Sequence, residues 1–438
     1  MVGSLDTNEK QRYIKGGSEI RKMPQSAETL YEARVKRVHD AVSLQRPDRV
    51  PILSAGSYFF YKDAGLTFGE AMYDYEKAAA GLKKAMKKFQ WDMAPSVALP
   101  SGPLMELFGL TQYKWPGYDL PDQSFFQYIE GEYMSGDEYD EMLADPGSFT
   151  IRKLIPRMSR LMEPFADLPP VHWSSNGLAL VRTIGRIAGD PRFVQILEAF
   201  KKAGEETDRY NEARVRFVNE MKKEGFPMVA APHSNSPYDF ITDFLRGMRG
   251  IMLDMYRFPD KLLATIDLFT PMMIDNAVAV AKTTGNPRVF MPLHRGAGGF
   301  MSNEQFAKFY WPSLKKIFLA LIDAGLTPMP FFEGDYTPRL EFLAELPKGK
   351  VLGNFHVVDL KKFKEILGEI MCFRGNVPPS LLIAGSPQQV KDYVKMLIDM
   401  FADNGGLVID GGSGIPYESK QENVEAMTEA VFDYGVYK

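Results

Sequence analysis

Five ionisable residues stand where short apolar runs end. Val289–Leu293 leads to His294, Val351–Phe355 to His356, and Met228–Pro232 to His233. Pro328–Phe332 leads to Glu333, and Leu407–Ile409 to Asp410. Histidines and carboxylates gathered at one mouth suit two chemistries. One is proton transfer, for which Glu333 is the first candidate acid: flanked by Phe331 and Phe332, its carboxyl would be desolvated and hold its proton. The other is metal binding by His294, Glu333 and His356, a donor set that suits zinc or another divalent ion. No two of these residues lie at i, i+2 or i, i+4 spacing. Asp335 follows Glu333 by two; it could bind substrate or orient a partner, or cap the turn before Pro338-Arg339-Leu340. Asp410-Gly411-Gly412-Ser413-Gly414 brings three glycines, which let backbone approach a ligand closely.

Such residues meet only if the runs lie side by side. Eight apolar runs recur, at 50–54, 92–97, 227–232, 288–293, 328–332, 350–355, 370–375 and 407–410. Helical segments separate most of them, so they read as buried parallel strands of a (β/α)8 TIM barrel. An open doubly wound sheet is the alternative, but no Gly-x-Gly-x-x-Gly follows an early strand. Capping patterns mark helix starts at Thr67/Glu70, Ser302/Gln305 and Ser386/Gln389. Pro312 should break or kink the second of these helices, and Gly325 should end it.

Residues 1–25 read as a polar arm and 26–438 as one barrel domain, with 99–180 an elaborated loop region. That region carries Trp115, Tyr118, Phe125, Phe126, Tyr128, Tyr133 and Tyr139, which fit either a lid over a substrate or a satellite core.

The 438 residues suffice for a substantial core; 45% are hydrophobic, 25% are charged, and the net charge is −4. With no basic stripe, nucleic acid is not the expected partner. The lysines at 83, 84, 87 and 88 read as a solvated helix face. The single Cys372 excludes an internal disulfide and reads as a packed thiol. No apolar run of about 18 residues or secretory leader is evident, so a cytoplasmic location is expected.

Several motifs resemble the uroporphyrinogen decarboxylase superfamily. They are Arg46-Pro47-Asp48-Arg49-Val50-Pro51-Ile52, Gly299-Phe300-Met301-Ser302, Val358-Asp359-Leu360, Gly375-Asn376-Val377-Pro378-Pro379, and Gly411 to Pro416 followed by Glu422-Asn423-Val424. The likeness is strong over 285–432 and looser over 30–285. It implies a barrel, often dimeric, with its pocket at the strand ends, and it makes Asp92 the substrate-binding aspartate of the second strand. True decarboxylases of this family carry arginines after the first strand, where this chain reads Leu53 to Phe60 without one. They carry a histidine in the last turn, where this chain has Ser413. Arg46 to Ile52 and Asp243-Phe244-Leu245-Arg246-Gly247 are more similar to the corrinoid-linked methyltransferase branch, which includes O-demethylation enzymes. That branch implies a corrinoid carried by a partner protein. Its thiol-methylating members hold zinc through His-x-Cys and a later cysteine, and here those places are Phe331, Glu333 and Ser413.

The favoured expectation is methyl transfer from a small, methoxylated aromatic donor to cobalamin. Glu333, His294 and His356 would do the chemistry, and Asp92, His233, Asp335, Asp410 and Ser413 would bind substrate. A decarboxylase of a tetrapyrrole or other carboxylate, and a non-catalytic member that binds a small molecule or corrinoid, are the alternatives.

Overall fold

The computed structural model describes residues 26–96, 99–168 and 177–437; the expected polar arm at 1–25 lies outside them. A small antiparallel pair, β1 (Tyr113–Lys114) and β2 (Gln127–Tyr128), precedes a parallel sheet of five strands. These are β3 (Arg288–Leu293), β4 (Thr327–Asp335), β5 (Leu352–Val357), β6 (Cys372–Arg374) and β7 (Leu407–Val408), in chain order. The other three apolar runs join by single parallel bridges. Ile52 pairs with Ile409, Leu53 with Met93, Ala94 with Met228, and His233 with Phe290. The eight runs therefore follow one another around a barrel-like ring, which continuous ladders do not close.

Alternation along each strand separates two cores. Leu53, Met93, Val229, Met329, Leu352, Cys372 and Val408 form one cluster inside the ring, together with Val38, Ala41 and Val42 of the helix Ala27–Val42. That helix plugs the end where the strands begin. Val289, Phe332, Phe355 and Phe373 belong to the larger cluster under the surrounding helices. Burial pushes the Cys372 thiol far up, so it is packing and not a nucleophile.

All three expected capping boxes form. The first helix is shorter than its apolar pattern implies: Phe68–Tyr73 ends, and Asp74 caps a second helix, Tyr75–Phe89. Pro312 does not break a helix. Helical geometry runs on from the π-turn Phe306–Tyr310 into Trp311–Asp323, and that widened turn just before Pro312 is the irregularity its missing N–H brings. Lys83 pairs with Glu220, and Lys87 with Glu224, on a solvated face. The helix Pro259–Thr284 is long and apolar enough, by length and composition, to cross a membrane; here it packs on β3 and on Trp311–Asp323.

The aromatic region divides. Trp115, Tyr133 and Tyr139 are buried as core, whereas Tyr113 and Tyr128 stack edge to face at 5.5 Å across the β1–β2 pair.

The structure corrects the expectation for Asp92. Its carboxylate stands where its run begins, at the plugged end of the ring. It accepts from Arg37 Nη1 (2.5 Å), Arg49 Nη1 and Nη2 (2.8 Å each) and the Ile52 N–H (2.8 Å). Fully buried and saturated with donors, it pins the first two runs and the plugging helix together and has no substrate to meet. Burial alone would raise its pKa, but Arg49 and Arg37 outweigh that and lower it. A lowered folded-state pKa adds stability above the ordinary value of 3.8, lost as pH falls through the folded value. Asp92→Ala should cost about 3–5 kcal/mol, because it leaves the Arg49 guanidinium without a counter-ion and takes from Arg37 the buried one of its two, Asp48 remaining; urea unfolding at pH 7 measures this.

Candidate active site at the mouth of the ring

Register places the candidate residues. Leu293 lies beside Phe332, and Phe332 beside Phe355. One residue further on, His294, Glu333 and His356 therefore form a row on three adjoining strand ends, and alternation turns them to the inside of the ring. The ladder then shifts between Phe332 and Asp335. Gly334 takes φ +86° in that shift, a conformation glycine adopts without strain. Its N–H donates to His356 Nδ1 at 3.4 Å.

His294 is the most constrained member. Its Nε2 lies 3.0 Å from Asp243 Oδ1. Its backbone N–H and that of Arg295 donate to the two oxygens of Asp239, at 3.3 and 2.9 Å. The hydroxyl of Tyr310 donates to Asp239 Oδ2 at 2.6 Å, and the hydroxyl of Tyr336 donates to the Leu293 carbonyl at 3.2 Å. Asp239 is wholly buried, and burial raises its pKa. Burial alone would lower the pKa of His294, but Asp239 and Asp243 outweigh it and raise the value to about 9. At neutral pH the ring is an imidazolium. Nε2 serves Asp243, and Nδ1 makes no hydrogen bond among the described residues.

Local sequence explains the clamp. Pro237–Ile241 opens a helix after the third run, and a π-turn, Thr242–Arg246, continues it. Asp239 and Asp243, four apart, fall on one face. Arg246 fixes the end of the turn through buried Asp254, with Nε to Oδ2 at 2.5 Å. Tyr128 from the β1–β2 pair packs on Phe244 at 6.0 Å, and its buried hydroxyl has no hydrogen-bond partner. Arg295 reaches Glu130 at 3.4 Å and Asp243 at 3.9 Å. Aromatic and charged groups thus wall one side of the mouth.

Other expectations change. Glu333 is exposed, and Phe332 beside it is turned into the outer core. Phe332 cannot desolvate Glu333, because adjacent strand residues face opposite ways; Phe331, two residues back, shares its side but leaves it exposed. Asp335 is exposed, and its Oδ1 accepts the Thr337 N–H at 2.9 Å, the turn cap that its position also suggested. Asp410 is fully buried and holds Arg374 through Nε at 2.8 Å and Nη2 at 2.7 Å; it supports the wall from within and cannot touch substrate directly. Ser413 is exposed in the last turn. His233 is exposed, yet the surrounding wall removes enough water to lower its pKa. The tentative metal set does not converge: among the described residues no three His, Cys, Asp or Glu side chains gather as ligands. The zinc pattern does not fit either, since Phe331, Glu333 and Ser413 stand at its places and supply no thiolate.

Sequence reasoning missed Asp239 as a candidate, and Tyr310 and Tyr336 with it. The signal for the first was an Asp-x-x-x-Asp spacing in a helix opening just past a strand end.

A family model described as uroporphyrinogen decarboxylase (URO-D) matches residues 204–434. A uroporphyrinogen decarboxylase of Syntrophotalea carbinolica is 25% identical over 177 residues, 40% of this chain and 50% of that protein. The Homo sapiens uroporphyrinogen decarboxylase is 28% identical over 175 residues, 39% and 45% respectively. The chain spans about half the length of these curated relatives. Among solved structures, a methyltransferase from Methanosarcina mazei superposes with a TM-score of 0.60 at 17% identity, over 93% of this chain and 99% of that one. At that identity the likeness establishes the fold alone.

The clamp has a measurable signature. NMR titration should find His294 charged through neutrality, with a midpoint near 9. Asp243→Asn should move it down by roughly 1 pH unit or more. A raised folded-state pKa means the stabilisation, on the order of 3 kcal/mol, is complete below the ordinary 6.5 and is lost as pH rises through about 9. Unfolding free energies measured from pH 6 to 10 should show that loss, and His294→Gln should remove it.

Proposed function

The chain belongs to the uroporphyrinogen decarboxylase family, and from that premise we propose that it is a methyltransferase acting on a small methylated donor with a corrinoid protein as partner. One observation carries this reading: His294, its Nε2 held 3.0 Å from Asp243, stands at the mouth beside an aromatic wall, with no arginine cluster at the first strand end. Leu53 to Phe60 offers no cation, so a substrate with many carboxylates would find little compensation for its charge there.

The reaction needs a proton when the methyl group departs. The reduced corrinoid of the partner supplies the nucleophile that accepts the methyl. The carbon–oxygen or carbon–nitrogen bond of the donor breaks, and its electron pair stays on the heteroatom. His294 Nδ1–H delivers the proton to that atom, while Asp243 and Asp239 hold the ring in place. Proton transfer from a positioned group contributes about 100- to 10,000-fold. Glu333 and His356, next in the row, orient the donor and return the proton to His294 from solvent. Tyr113 and Tyr128 flank the donor and exclude water.

With methoxylated phenols and a reduced corrinoid protein, the enzyme should transfer methyl groups, read by the change in the corrinoid spectrum. His294→Gln should lower the rate about 100-fold or more, and Glu333→Gln should cost less. No transfer with any donor would sink the proposal. A decarboxylase of a carboxylate substrate is the second reading, favoured by the names of the curated relatives. Turnover of uroporphyrinogen by the isolated protein would establish it in place of the first.

A further inference from the structure

One cation in the ring has no role in the proton transfer. Arg374 ends β6, in register with Asn354 of β5. It lies two residues beyond Cys372, which belongs to the inner cluster, so alternation turns it inward as well. Asn354 is likewise two residues below His356. Arg374 therefore occupies the layer directly beneath the Glu333–His356 row, roughly 6–7 Å deeper by strand rise. It is 2% exposed.

Only part of its hydrogen-bonding capacity is used. Nε and Nη2 both meet Asp410 Oδ2, at 2.8 and 2.7 Å. The other oxygen of Asp410 accepts the Gly411 N–H at 2.7 Å. Nη1 is buried with no partner, and so are the hydroxyls of Ser54 and Ser57. Ser54 lies near enough to help lower the Asp410 pKa against the larger raising effect of burial, but it falls outside hydrogen-bond geometry. The run that holds Ser54 adjoins Ile409, and β7 adjoins β6. Three orphaned groups able to donate thus come from one sector of the ring.

Buried donors are rarely left unmade. Asp410 is already committed and cannot turn to Nη1. A carboxylate can accept from several such donors at once, and the guanidinium edge matches it. Glu333 and Asp335 stand above in water, where their charge is screened. Around the ring, β6 is three strands from β3, which carries His294.

We infer that Arg374, backed by Asp410, is the recognition group for a carboxylate on the substrate, which lies with its acid group on the floor of the mouth and its methyl-bearing heteroatom at His294. This rests on the mouth being the reaction site and makes the donor a small methylated acid, such as a methoxybenzoate. Arg374 is then a specificity residue that takes no part in proton transfer.

The test is equilibrium binding by calorimetry without a corrinoid, so that it stands apart from methyl transfer. The probes are 3-methoxybenzoate and benzoate, each against its amide. The wild-type protein should prefer the acids by about tenfold or more. Removing Arg374 alone would strand Asp410, so the first variant is Arg374→Gln with Asp410→Asn, which keeps a neutral hydrogen-bonded pair. It should bind acid and amide alike. A second, Arg374→Lys, keeps the counter-ion for Asp410 but lacks the planar fork, and it should lose most of the preference while melting as a folded protein. Wild-type protein with no preference for either acid, or a folded variant that keeps the full preference, overturns the inference.

Discussion

The mouth is organised by one buried carboxylate. Asp239 accepts two successive backbone N–H groups, those of His294 and Arg295, and the hydroxyl of Tyr310. A carboxylate without water must have such donors. Here they come from the end of one strand and from a turn two elements further on. The same charge helps keep His294 protonated. The strand end, the tyrosine and the imidazolium are thus fixed by one requirement, that Asp239 not be left unsatisfied. Charged partners strengthen each other where the dielectric is low, so a change at any of the three is felt by the others.

Asp92 does the corresponding work at the other end. It ties Arg37 and Arg49 to the first strand runs, and the helix Ala27–Val42 seals the inner core above it. Both ends of the ring rely on a buried aspartate, with opposite electrostatic outcomes. Arginines drive the Asp92 pKa down, whereas burial prevails at Asp239 and drives it up. The same residue type pins strand runs in one place and holds a histidine in the other.

Much of this was legible in the chain. Apolar runs that end on His294, Glu333 and His356 locate the mouth because strand period and strand length are written in residue order. Capping boxes at Thr67, Ser302 and Ser386 are equally local. Asp92 misleads because its role came from the resemblance alone, although the run at 92–97 begins with it and so sets it at the far end from the mouth. Glu333 misleads because Phe332 beside it faces the other way, and Phe331, on its own side, leaves it exposed. Asp239 and Tyr310 were missed because each looks like an ordinary residue on an amphipathic helix. Their pairing spans 71 positions and exists only after the helices dock.

The unequal joining of the ring has a mechanical meaning. His294, Glu333 and His356 terminate strands within the continuous ladder of β3 to β7, where hydrogen bonds reinforce their neighbours. The runs at 50–53, 92–94 and 228–233 are attached at single bridges, so less backbone must be broken to displace them. Local opening follows the weakest cooperative unit. The side that carries His294, Glu333 and His356 is accordingly joined through more backbone hydrogen bonds than the side opposite, where local opening should begin.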